Sequence, residues 1–483
     1  MKVGEFWKTY LALAVLAGLG AYLYFVEAKR EDKPEKPKEK VFALDKAKVK
    51  ELTLLPSGGE AIRLVKEGSN WTMAAPKAFP ADGPAADSLV STLESLEIDE
   101  VAAASAPRLA DFGLENPKLT VGVLLQGATE PMKLLLGEKL ADGSGIYAKL
   151  PTQPRVFTIP AYVEGSLNKK PFDLRDRDLL HVKRDAVKTL EISGPGGSYA
   201  LARDDKGEWA FTKPLPTRAG RWSVDSLLGT IENLRMESVA AEEATDLKPF
   251  GLVKAARTVT LGLSDGTTRT LEIGSASEDE RASKDNKDKD KDKDKDKDKK
   301  GKKDSSKEKP TKYFARDASR RLVAVIPAAL EDDLAKGMKE LRAKRLLEVA
   351  TYEVEGIEAQ LGAQKRVYAK AAQKDPKGLE APKWKRTAPE AKDLESAKVE
   401  DALFKLGGIE VQEFIDAPKD PPAYGLDAPA FKLALRFGAA KPEASVELGK
   451  KDGAVYARRT GDSSLLKLDP AKAEELIKAF QEL

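Results

Sequence analysis

Cysteine is absent from the 483 residues, which excludes disulfides, thiolate nucleophiles and Cys-ligated zinc or iron–sulfur centres. The same absence suits the cytoplasm and an oxidising compartment equally, and so places the protein in neither. Histidine occurs once, at His181, which rules out His-x-x-x-His zinc sites and paired-histidine acid–base chemistry. A Ser-His-Asp relay survives on count, yet no Gly-x-Ser-x-Gly elbow accompanies it. Phosphate-binding glycine loops are missing as well, both Gly-x-x-x-x-Gly-Lys-Ser/Thr and a Gly-x-Gly-x-x-Gly following a strand. Neither charge sign dominates: 82 Lys+Arg against 79 Asp+Glu leaves +3, with no global field pointing to nucleic acid or an acidic surface. Carboxylates gather only in charged loops, so a carboxylate-dyad hydrolase has no support, and no catalytic residue, metal or cofactor is assigned.

Long apolar runs are also scarce, and the one exception sits at the start. Residues 9–26 (TYLALAVLAGLGAYLYFV) carry no charge and, as a helix, would span about 27 Å, the lower edge of what crosses a bilayer core. Phe6, Trp7 and Tyr10 gather at one end and Tyr22, Tyr24 and Phe25 at the other, as interfacial belts require. A cleaved secretory signal is the competing reading. The bulky Tyr22-Leu-Tyr-Phe-Val26 after the small residues suits an uncleaved anchor better. The expectation is a short cytoplasmic tail (1–8), a transmembrane anchor (9–26) in a bacterial inner membrane and a charged, solvated stalk (27–40). The basic residues after the span argue against export by simple counting. Large domains nevertheless translocate largely regardless of charge, and the bulk of the chain is read as periplasmic.

Beyond the stalk the chain repeats itself. Phe112-Gly113-Leu114 recurs as Phe250-Gly251-Leu252 and as Tyr424-Gly425-Leu426. A tryptophan lies upstream each time: Trp71 by 41 residues, Trp209 by 41 and Trp384 by 40. A glycine ending a strand lies downstream each time: Gly137 by 25 residues, Gly274 by 24 and Gly449 by 25. Three repeats are expected, at 41–182, 183–348 and 349–483, matching the length prior for a chain of this size.

In the first repeat, Val49–Leu55 and Ala61–Val65 read as a hairpin broken at Pro56-Ser-Gly-Gly59, and a second turn delivers Trp71 to a core. Asp82 is expected to cap a helix whose Leu89, Leu93 and Leu96 form one stripe. Asp87, Asp225 and Asp401 are matched across the repeats and are read as first-turn acids complementing the helix dipole. Short connections after the Phe-Gly-Leu turn predict an antiparallel meander, with Leu174-Arg-Asp176 and Leu341-Arg-Ala343 closing two of the units. The expected class is therefore α+β: three tandem meanders, each with one or two packed helices, behind a transmembrane helix.

The second repeat carries an insertion, 276–310, at a hairpin tip, where no buried backbone is interrupted. Its six Lys-Asp dipeptides, 287–298, cancel locally and offer no apolar face, which predicts an expanded disordered loop.

With the anchor, the Trp71-to-Phe-Gly-Leu spacing, Tyr147-Ala-Lys149 and Leu174-Arg-Asp176 in view, the chain resembles the bacterial domain-of-unknown-function family 4340. The second repeat lacks the proline after Leu252, and the third lacks a closing Leu-Arg-Asp. The resemblance implies an N-terminal membrane segment, an extracytoplasmic α+β repeat region and a genomic setting beside ABC-type export systems of the gliding-motility kind. It supplies no catalytic residues. Two functions follow: a non-catalytic, membrane-anchored scaffold for a protein partner in an export complex, or an enzyme or binding protein for an envelope polysaccharide using carboxylates in a groove between repeats. Stacked similar modules favour the first. A plain spacer is the third.

Overall fold

The computed structural model describes residues 14–18, 22, 38–106, 108–277, 310–348, 350–374, 380–438 and 443–483. Most of the predicted anchor and stalk, and nearly all of the Lys/Asp insertion, lie outside these residues. Among the described residues, no helix is long and apolar enough to cross a membrane. The chain divides into two compact units, Met1–Asp176 and Arg177–Leu483.

The first unit is built on one nine-stranded antiparallel sheet. Its strands are β1 (Val49–Pro56), β2 (Ile62–Glu67), β3 (Asn70–Ala75), β4 (Phe79–Pro80), β5 (Glu100–Ala103), β6 (Leu119–Leu125), β7 (Met132–Lys139), β8 (Gly145–Lys149) and β9 (Val156–Pro160). Their spatial order is β4-β3-β2-β1-β6-β7-β8-β9-β5. The expected hairpins and meander are both present, but they fuse: β1 pairs with β2 on one side and with β6 on the other. Leu52 and Leu54 on β1 are fully buried, and a strand this apolar on alternate positions gains from neighbours on both edges. The helix Gly83–Ser95 carries the chain from β4 towards β5 at the far edge. Asp82 caps this helix, accepting the Ala85 N–H at 2.9 Å, and Ala86, Leu89, Val90 and Leu93 face the core with Trp71 and Met73.

The same strand order appears twice more, centred on Val187–Gly194 paired with Arg257–Leu263 and on Val354–Leu361 paired with Phe431–Phe437. Each copy has its long helix, Arg221–Glu232 or Ser396–Gly407. In the second copy, Thr268–Ala276 and Lys312–Asp317 are antiparallel neighbours, with most of the insertion between them outside the described residues. The third copy ends in a helix the sequence reading did not foresee, Pro470–Glu482, where the other two carry only Tyr162–Leu167 and Ala328–Leu334. Asp469 caps it through the Ala471 and Lys472 N–H groups, and Leu476, Ile477 and Phe480 enter the third core.

Within the second unit, the segment after Leu341 is bonded to both sheets. Gly220 N–H donates to the Leu341 carbonyl and Ala343 N–H to that of Arg218, while Val411 N–H donates to Lys344 and Leu346 N–H to Ile409. Arg459 from the third copy donates to the carbonyls of Ala343 and Arg345 and pairs with Asp462 at 2.6 Å, both side chains being at most 1% exposed. Asp462 also accepts from Thr217 Oγ1 at 3.0 Å and Arg218 N–H at 2.6 Å.

Candidate functional site

The repeated aromatic-Gly-Leu motif makes a turn. A short 3-10 helix precedes Gly113, Gly251 and Gly425, whose φ of 66–68° suits a residue without a Cβ. Leu114, Leu252 and Leu426 are buried beside it. The aromatic ring packs edge-on against one from the neighbouring hairpin: Phe112 on Tyr147 at 5.0 Å, Phe250 on Phe314 at 5.1 Å, Tyr424 on Tyr456 at 5.0 Å. The downstream glycine explains itself by closeness. A Cβ on Gly137, Gly274 or Gly449 would lie 2.0–2.3 Å from the carbonyl oxygen of Phe112, Phe250 or Tyr424. These residues are consumed in building the turn.

The tryptophans belong to a different cluster. Trp71, Trp209 and Trp384 are 1–3% exposed. Each stands across the sheet from a cation: Lys66, Arg203 and Lys370. In the first repeat the cluster is closed. Asp87 accepts the Trp71 Nε1–H at 2.8 Å and the Lys66 ammonium at 3.0 Å, and that ammonium lies 5.1 Å from the ring centroid. Burial raises the Asp87 pKa, but the bonds from Trp71 and Lys66 outweigh it and hold the carboxyl below its usual value. The dipole reading of Asp87 therefore needs correcting, since no acid occupies the first turn of that helix and Asp87 serves the indole.

Asp225 occupies the same register, but it pairs with Arg221, at 3.9 Å, and Trp209 Nε1 is buried with no hydrogen bond among the described residues. In the third repeat, the buried positions Val399, Ala402, Leu403 and Leu406 set the register by correspondence with Val224, Leu227, Leu228 and Ile231. That places Glu400 opposite Asp225, and Asp401 one residue further on, paired with Lys405 at 2.7 Å. Lys370 donates to the Tyr352 carbonyl at 3.2 Å and lies 5.8 Å from the Trp384 ring centroid.

Beside the middle cluster, and sharing its Arg203 and Asp225, lies a cleft of about 450 Å³ lined also by Arg184, Asp185, Arg221 and Trp222. Trp222 is 80% exposed. Correspondence along the helix makes Arg221 and Trp222 peculiar to this repeat, since Gly83-Pro84 and Ser396-Ala397 stand in their places. Sequence reading singled out Asp225 and missed both neighbours, because searching for sameness hides what one copy alone carries.

His181 adopts φ 53°, with its N–H held by Asp178 Oδ1 at 2.9 Å and its ring Nδ1 3.3 Å from Arg320. Among the described residues, no group of three or more His, Asp or Glu side chains is placed to hold a metal ion.

No curated protein matches the chain significantly. A solved structure of a DNA polymerase sliding clamp from Pseudomonas aeruginosa with ligand aligns over 88% of this chain and 92% of its own at 8% identity, but its TM-score of 0.15 is too low to carry an argument. A family model described as "Domain of unknown function (DUF4340)" matches residues 71–220, 209–289 and 304–429, a span holding all three tryptophans and all three aromatic-Gly-Leu turns. With most of its length matched in three successive stretches, the chain belongs to the DUF4340 family.

Proposed function

We propose that this chain is a non-catalytic scaffold, tethered to a bacterial inner membrane by residues 9–26 and presenting its three repeats outside the cytoplasm to a protein partner. The supporting observation is what becomes of the thrice-repeated residues. Phe112, Gly113, Leu114, Gly137 and their counterparts build the turn and its close contact, and Trp71 and Trp384 fill cores. What three copies share is therefore spent on making a sheet of defined shape, and one shape repeated three times offers a partner the same kind of surface three times. The apolar, aromatic-flanked run at 9–26 supports the tether. The family resemblance supports a partner of the ABC export type.

The test is affinity purification from solubilised membranes, comparing the intact chain with a form lacking residues 1–26. Transporter subunits recovered with the intact chain and depleted with the shortened one are expected. Their absence from both eluates would remove the proposal.

A further inference from the structure

We propose that the cleft of the middle repeat binds an acidic sugar, a uronate unit of an anionic glycan, with Trp222 stacking on the ring and Arg221 pairing with the carboxylate. Such a site would stand whether or not the chain is a scaffold. Arg184, Arg203 and Arg221 line one concavity of about 450 Å³, within the roughly 300–1,000 Å³ of small-ligand sites. Arg184 lies 3.9 Å from Glu232 and Arg203 donates to the Gly207 carbonyl at 3.2 Å, so Arg221 is the one assigned to the ligand. Guanidinium matches a carboxylate in planar, two-bond geometry. Asp185 and Asp225 line the cleft as well; they would repel a second anion but accept hydrogen bonds from hydroxyls. Trp222 adds a large, flat apolar face beside them, and Gly229, with nothing within 4 Å of a built Cβ, leaves the helix surface there uncovered. A carboxylate, several hydroxyls and an apolar ring face on one molecule describe a uronate. Nucleic acid or a bare phosphate would use the arginines and leave the two carboxylates opposed. A flat anionic membrane would meet the rim and not the concavity.

A second observation comes from comparing the copies. The buried Trp209 Nε1–H has no acceptor among the described residues, whereas the matching Trp71 N–H is taken by Asp87 at 2.8 Å. Asp225 is instead turned towards Arg221, 3.9 Å away. A ligand carboxylate arriving at Arg221 releases Asp225 to accept the Trp209 N–H, closing the middle cluster as the first is closed. Ligand binding thus satisfies a buried donor that the free protein leaves unpaired.

Isothermal titration of the full chain with a galacturonate trimer, alongside the neutral galactose trimer, tests this. One-site binding of the uronate is expected, at least about tenfold tighter than any binding of the neutral sugar. Trp222→Ala and Arg221→Ala, both surface changes checked by circular dichroism, should each weaken it by about tenfold or more. Trp209→Phe should weaken it about threefold by removing the donor that Asp225 moves to. Equal affinity for both trimers, full binding by the Trp222 or Arg221 variants, or binding confined to phosphatidylglycerol vesicles would overturn the site. Unchanged affinity in the Trp209 variant would overturn the handover of Asp225.

Discussion

Trp71 and Trp209 occupy the same place in two copies of one sheet and are equally buried, but differ in the indole hydrogen bond and in the Lys66 ammonium 5.1 Å from the Trp71 ring centroid. Phe keeps a ring for that cation and removes similar packing at both sites, so the difference between the two variants reads mainly the bond to Asp87. Trp71→Phe should cost about 1–2 kcal/mol more than Trp209→Phe in urea unfolding at neutral pH, somewhat less than the roughly 1.5–3 kcal/mol of a hydrogen bond to a charged group because the Asp87 side chain is half exposed. The gap depends on pH. Because Asp87 is held below its usual value when folded, its contribution is present above the unfolded carboxyl pKa of about 3.9 and is lost as pH falls through the folded value. The two variants should therefore converge below about pH 4. A constant gap down to pH 2.5 would show that the bond is not its source. The sequence singled out both residues of this pair but not their bond, because a 16-residue spacing across a turn and a helix start does not reveal which side chains meet.

The strongest constraint on single elements is the approach of each Gly-ended strand to the aromatic-Gly-Leu turn. A methyl group on Gly137 would sit 2.2 Å from the Phe112 carbonyl oxygen, with Leu114 close behind. Gly137→Ala should therefore cost about 2 kcal/mol or more, as overpacking against a fixed backbone does. Gly143→Ala would meet no neighbouring atom, and its cost should come only from its φ of 74°. Comparing the two by denaturant midpoint separates steric contact from backbone preference. Turns, hairpins and the capped helix were legible because each is set by residues adjacent in sequence. The fusion of β1 with β6 was not: that pairing joins residues some seventy positions apart, and only burial on both edges of β1 demands it. The closing helix Pro470–Glu482 was equally hidden, since its counterparts are short and offered no pattern to extend.

At the scale of the whole molecule, the sequence announced three repeats, while the compact units number two. Within the unit that holds repeats two and three, beside the backbone bonds of the segment after Leu341, Arg459 and Asp462 reach across from the third sheet to Thr217 and Arg218 of the second and to the connecting segment. These are long-range contacts of residues that no other copy shares, which is why repeat spacing could not reveal them. Asp462→Ala would leave Arg459 almost wholly buried without its counter-charge, at a cost of about 3–5 kcal/mol. That loss should appear as a lowered unfolding midpoint for the second unit. An unchanged midpoint would mean that the pair adds nothing to the stability of the unit.

The Arg459–Asp462 lock also dictates how the protein should respond to heat. Sheets two and three should melt in a single calorimetric peak and sheet one in another, giving two transitions from a threefold pattern. Cutting the lock should divide the larger peak, so that the thermogram of the Asp462→Ala protein recovers the number of copies written in the sequence.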